Sequence, residues 1–179
     1  MTAVHAFGDD ALGDLDATGV AARIASGEIT SREAVDAAIA RAAAVTDLAA
    51  IEVPDFDRAR GAAYRPGPFA GVPTFVKDNV DVAGLPTGEG SAAFTPRPAA
   101  TDAPSATQLL STGLVALGKS RLPEFGFSPT TEFANAEPVH NPWNPDFSSG
   151  ASSGGAAALV VRPRRTAEAH GPQQPEHAG

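Results

Sequence analysis

Gly71-Val72-Pro73-Thr74-Phe75-Val76-Lys77-Asp78-Asn79 is the stretch that decides how this chain is read. Val72 to Val76 is short, β-branched and aromatic, the make-up of a buried strand. It ends on a lysine. Lysine is scarce here, Lys119 being the other instance, so each must be weighed individually. Further along stands Ser149-Gly150-Ala151-Ser152-Ser153-Gly154-Gly155-Ala156, paired hydroxyls in a glycine-rich turn that leads into an alanine run. A buried amine beside a hydroxyl is the base half of a serine hydrolase that needs no histidine. Each segment alone has a plainer reading. Lys77 is then a strand-end lysine reaching solvent, and the glycine turn a flexible linker.

Composition narrows the field. With 179 residues, 42% of them hydrophobic, the chain can bury a real core as one domain. Its mean hydropathy is −0.09, and no apolar run approaches the roughly 18 residues that span a bilayer. The start, Met1 to Asp10, lacks the basic and apolar regions of a signal peptide. The cytoplasm is therefore the expected compartment, and a membrane is not an expected partner. A net charge of −8 and a pI near 4.8 disfavour capture of nucleic acid. Cysteine is absent, which excludes disulfides and thiolate catalysis. His5, His140, His170 and His177 are scattered without HExxH-like spacing, so no metal site is expected.

The pattern predicts helices first and strands after. Asp16-Ala17-Thr18-Gly19 opens a helix that Ser26-Gly27 closes. Thr30-Ser31-Arg32-Glu33 is a capping box for a longer helix to about Val45. A third helix is expected over Asp55 to Ala63. Beyond Phe69 the texture turns to strand and loop. Asp102 is expected to cap a helix through Leu110, and Leu114 to Gly118 reads as a second buried strand. Leu122 to Phe147, broken by four prolines at 123, 129, 138 and 142 and a fifth at 145, reads as a long packed connection. Ala156 to Val161 begins another helix. Helix followed by short apolar strand is the rhythm of an α/β domain. After Val161 the sequence carries no Val, Ile, Leu, Met, Phe, Trp or Tyr, so residues 162–179 are expected to be a disordered, out-of-frame tail.

Several blocks then stand in one order. Gly71-Val72-Pro73 and Lys77-Asp78-Asn79 are followed by Gly84-Leu85-Pro86-Thr87-Gly88 with Gly90-Ser91. Leu117-Gly118-Lys119-Ser120 runs to Leu122-Pro123-Glu124-Phe125, then His140-Asn141-Pro142-Trp143-Asn144-Pro145, then the glycine-serine turn. In these blocks the chain resembles the amidase signature family of serine hydrolases. The resemblance runs from the N-terminal helices to about Val160.

That resemblance implies an α/β fold, with N-terminal helices followed by part of a mixed central sheet flanked by helices. Residues 1–161 would be the N-terminal portion of the family's domain. It implies a Ser–Ser–Lys triad acting on carboxylic amide C–N bonds of a small-molecule substrate, with no cofactor. Lys77 would be the general base and then the acid, kept uncharged by burial. Ser152 matches the family's bridging serine, whose peptide bond is cis and whose hydroxyl relays the proton. Ser153 is the runner-up for that role and is expected to bond locally, with Gly154 and Gly155, at the helix start. The usual Gly-Gly-Ser-Ser reads Gly-Ala-Ser-Ser here, with Ala151 in place of a glycine. The family's nucleophile lies further downstream, and no serine follows Ser153. The chain is therefore expected to be truncated before the nucleophile and inactive alone. The alternative is a non-catalytic remnant or weak ligand-binding fragment.

One other pattern needs weighing. Gly113 to Ser120 formally satisfies the P-loop motif GxxxxGK[ST]. Its four central residues are all apolar, and Pro123 falls where a helix should start, so the segment reads as the strand itself.

Overall fold

A computed structural model describes residue 4, residues 6–63 and residues 65–160. The expected tail, residues 162–179, lies outside the described residues. Helix α1 (Ala17–Ala25) starts at Asp16, whose carboxylate accepts from the Gly19 amide. Helix α2 (Ser31–Ala44) has both bonds of the capping box: Glu33 N donates to Thr30 Oγ1 at 3.1 Å, and Thr30 N to Glu33 Oε2 at 2.7 Å. Strand β1 (Ile51–Pro54) and a one-turn-plus helix α3 (Phe56–Arg60) come next. Strand β2 (Pro73–Lys77), helix α4 (Pro104–Leu110) and strand β3 (Val115–Ser120) form a parallel crossover. A short hairpin, β4 (His140–Asn141) and β5 (Asn144–Ser148), leads to helix α5 (Gly154–Val160).

The main sheet has the order β1-β3-β2, with β1 antiparallel and β2 parallel to β3. It is the mixed sheet of an α/β fold. Being central, β3 is buried over its second half, whereas β2 lies at an edge. Gly118 in β3 has φ +139°, and a Cβ there would run into the Val53 carbonyl of β1. Only glycine lets these two backbones pair so closely. On one face Val35, Ile39, Ala59 and Leu117 pack α2 and α3 against the sheet. Elsewhere Val76, Val82, Leu85 and Ala106 join β2 to α4.

Four expectations need correcting. The third helix ends at Arg60 rather than Ala63, with Gly61 closing it. Asp102 does not cap α4; its Oδ1 accepts from the Ala83 amide at 2.7 Å, and Pro104 at the first helical turn needs no capped N–H. The connection after Leu122 holds a 3₁₀ turn at Glu124–Gly126 and the β4–β5 hairpin. Asn141 makes the hairpin turn by accepting from Trp143 N at 2.9 Å, a local side-chain bond that apolar periodicity does not report. Strand β1 was also unforeseen, being four residues long with Glu52 between Ile51 and Val53.

Candidate active site

Lys77 is the last residue of β2, and Ser152 lies in the turn before α5. The two are 75 residues apart in sequence, yet Lys77 Nζ donates to Ser152 Oγ at 3.0 Å. Desolvation pushes the Lys77 amine below the ordinary lysine value. The amine is nevertheless half-buried rather than enclosed, and Ser152 is exposed. This differs from the expectation of a lysine hidden in the core. The physical reason is the alternation along the strand: Val76 and Asp78 on either side are buried, and Lys77 lies on the other, less covered face.

The turn that carries Ser152 is held from two sides. Thr131, fully buried, donates its hydroxyl to the Gly150 carbonyl at 2.6 Å. Behind the turn, Gly155 N donates to the Arg121 carbonyl at 3.1 Å, and Arg121 N to Ala50 O at 2.9 Å. A Cβ on Gly155 would come within 2.5 Å of both the Ala50 carbonyl and the Arg121 amide. At Gly154 it would strike the Thr131 and Ser149 side chains. These two glycines therefore allow α5 to sit directly on the backbone leaving β3. The Ala151–Ser152 peptide bond is cis. Ser153 is exposed, and its carbonyl accepts from Ala157 N at 2.9 Å, the first α5 helical bond.

The sequence reading gave no role to the residue after Lys77. Asp78 is fully buried, and its carboxylate lies 3.0 Å from Lys119 Nζ. Lys119 is likewise buried, and also donates to the Pro86 carbonyl at 3.0 Å and to Thr87 Oγ1 at 2.7 Å. The second carboxylate oxygen of Asp78 accepts from Gly88 N at 3.0 Å. The apparent P-loop lysine is thus committed inside the protein, on a strand, with no donor left for phosphate. A buried ion pair whose two partners also bond the Pro86 carbonyl, the Thr87 hydroxyl and the Gly88 amide fixes the backbone around it. Here that backbone is the end of β2 and the loop at residues 84–89. The sequence signal was only a lysine near the end of an otherwise apolar strand; its pairing with Asp78 needs the register, in which Lys119 faces Val76.

An apolar cleft of about 650 Å³ opens elsewhere, between α1, α2, the start of β2 and α5. Phe69, Val72, Phe75, Leu114, Leu159 and Val160 line it, and neither Lys77 nor Ser152 does. Among the described residues no group of three His, Asp or Glu side chains could hold a metal ion. Nor is any described helix long and apolar enough to cross a membrane.

Comparisons with known proteins agree on one family. The Amidase family model matches residues 29–163. The chain is 52% identical over 166 residues to a putative amidase AmiC of Mycobacterium tuberculosis, covering 90% of this chain and 35% of that protein. A solved 6-aminohexanoate cyclic dimer hydrolase in complex with substrate superposes with a TM-score of 0.72 at 37% identity. That match covers 81% of this chain and 32% of the hydrolase. A bacterial aryl acylamidase of the amidase signature enzymes superposes at 0.73 with 29% identity, over 88% of this chain and 34% of its own. The chain spans about a third of the length of the relatives it matches.

Proposed function

This chain belongs to the amidase family, and from that premise we propose that it carries the base-and-relay half of a Ser–Ser–Lys amide hydrolase. The observation that carries the reading is the 3.0 Å hydrogen bond from Lys77 Nζ to Ser152 Oγ. Desolvation, with no carboxylate partner among the described residues, lowers the proton affinity of the amine toward the neutral form a base needs. Lys119 offers the contrast: its charge is held by Asp78.

In this mechanism neutral Lys77 takes the Ser152 proton as Ser152 takes the proton of an attacking hydroxyl. That hydroxyl adds to the amide carbonyl. The proton returns through Ser152 to the leaving nitrogen as the C–N bond breaks, and water then releases the acyl group by the same relay. No serine follows Ser153 in the 179 residues, so these residues offer no further serine hydroxyl for the attack. The chain by itself is therefore proposed not to turn over amides. The names of its relatives suggest a small carboxylic amide as substrate, while the net charge of −8 argues against nucleic acid as a partner.

A chimera tests the assignment. Residues 1–160 joined to the downstream part of the M. tuberculosis relative should hydrolyse an amide substrate. Lys77→Ala or Ser152→Ala should each cut that activity by at least about 100-fold, the usual contribution of a positioned acid–base group. Wild-type rates in the Lys77→Ala chimera would remove the lysine from the mechanism.

The alternative, a non-catalytic remnant, draws on the exposed apolar cleft and on β2 as a free sheet edge. It leads to self-association of the 179-residue chain. Elution as a monomer with a cooperative thermal melt would count against it.

A further inference from the structure

One imidazole ring ties the hairpin that leads into the Ser152 turn. His140 Nδ1 lies 2.5 Å from the Pro145 carbonyl of β5, and His140 Nε2 lies 2.8 Å from Glu137 Oε1, just before β4. Both neighbours are oxygens that can only accept, a backbone carbonyl and an ionised carboxylate. A neutral imidazole carries a single N–H and could donate to one of them. Only the imidazolium makes both bonds, so the geometry is that of a charged ring. The surrounding groups favour that charge. The bond to Glu137 raises the proton affinity of His140, partial burial opposes it, and the Pro145 carbonyl and the Asp146 charge add to the rise. Asp47 is the acidic residue of the 3₁₀ turn Thr46–Leu48 packed against β4, and it is exposed. Arg121 donates to the Glu137 carbonyl at 2.8 Å, and its charge is paired with Glu52 at 2.9 Å.

What this ring ties runs straight on to Ser152. His140 pairs with Ser148 across the hairpin. Beside it, the fully buried Val139 donates its N–H to the Thr131 carbonyl at 2.9 Å and accepts from Ser149 N at 3.0 Å. Thr131 in turn holds the Gly150 carbonyl. At the far end, the Arg121 carbonyl holds Gly155 N, while the Arg121 side chain holds Glu137. The stretch from Ser149 to Gly155 thus hangs between two supports, which Glu137 and His140 join. Resting on the proposed function above, we propose that His140 is a positioning residue for the relay: as an imidazolium it locks the β4–β5 hairpin, and through it the turn that sets Ser152 against Lys77. On losing a proton the ring gives up one of its two bonds, and the turn slackens. Rising pH therefore frees the base while loosening the turn that aims its relay.

Amide hydrogen exchange on the full 179-residue chain reads that turn directly. The Ser149 amide, bonded to the Val139 carbonyl, is the probe; the Asp78 amide, bonded to the Ser120 carbonyl at 3.0 Å, is the reference. Histidine labelled at its ring nitrogens gives the midpoint, and His140→Gln assigns the signal among the four histidines. Below that midpoint, His140→Gln should lower Ser149 protection relative to Asp78 about tenfold, the worth of one charge-assisted hydrogen bond. Above it the two proteins should converge, because the wild-type ring has by then lost the same bond. Glu137→Gln, a change at an exposed side chain, should keep the step and move it to lower pH. A protection gap of equal size at every pH would overturn the proposal, since a histidine with a purely structural role gives that result. So would ring-nitrogen signals of a neutral imidazole at a pH below the ordinary histidine value. Lys77 titrating as an ordinary lysine, while Ser149 protection still follows His140, would overturn the base assignment alone.

Discussion

Lys77 and Lys119 stand on adjacent parallel strands, close to each other in register, and the protein treats them in opposite ways. Lys119 lies on the central strand, wholly buried, with a carboxylate, a carbonyl and a hydroxyl as partners. Lys77 ends the edge strand, half-buried, with one hydroxyl partner and desolvation lowering its proton affinity. The first arrangement keeps a charge and spends it on rigidity. The second withholds compensation and so leaves an amine free to exchange protons. Desolvation lowers the proton affinity of Lys77, and no carboxylate among the described residues pairs with it to offset that effect.

If that contrast is right, the largest loss of stability should follow from breaking the Lys119 pair. Lys119→Met leaves the Asp78 carboxylate buried and unpaired, and should cost about 3–5 kcal/mol in denaturant unfolding. Adding Asp78→Asn should recover a good part of it. A double variant no better than the single would mean the pair is not coupled.

Substitutions in the Ser152 turn come next. Gly155→Ala forces a methyl against the Ala50 carbonyl and the Arg121 amide, and overpacking of this kind costs about 1–3 kcal/mol. Thr131→Val removes the donor to the Gly150 carbonyl and should cost about 1–3 kcal/mol, as expected for a buried acceptor left unpaired. Circular dichroism melts of both variants check this, and neither change should move the Lys119 signal in a lysine-labelled spectrum.

The smallest effect on stability belongs to Lys77. Its proton affinity is lowered in the folded chain, so between that lowered value and the ordinary lysine value the unfolded chain binds more protons. Stability should therefore rise with pH across this window, and Lys77→Met should flatten that slope. His140 has the opposite sign. Its bond to Glu137 raises its pKa, so its contribution is full below the ordinary histidine value and fades as pH climbs through the raised one. Unfolding curves over a pH series for Lys77→Met and His140→Gln separate the two slopes.

Much of this was legible in the chain. The capping box at Thr30, the strands around Val76 and Leu117, and the mixed α/β character all follow from local signals with a period or a cap. The family, too, could be read from ordered blocks. What escaped depends on contacts between distant segments. Strand β1 is defined by its pairing with β3, not by its own four residues. Asp78 is meaningful only once β3 places Lys119 beside it, and the exposure of Lys77 only once the covered face of β2 is known.

Titration of the two labelled lysine side chains in one sample tests the account most directly. Lys77 should lose its proton at a pH below the ordinary lysine value, in a transition that moves when Ser152 becomes alanine. Lys77 titrating at the ordinary value and indifferent to Ser152→Ala would contradict it.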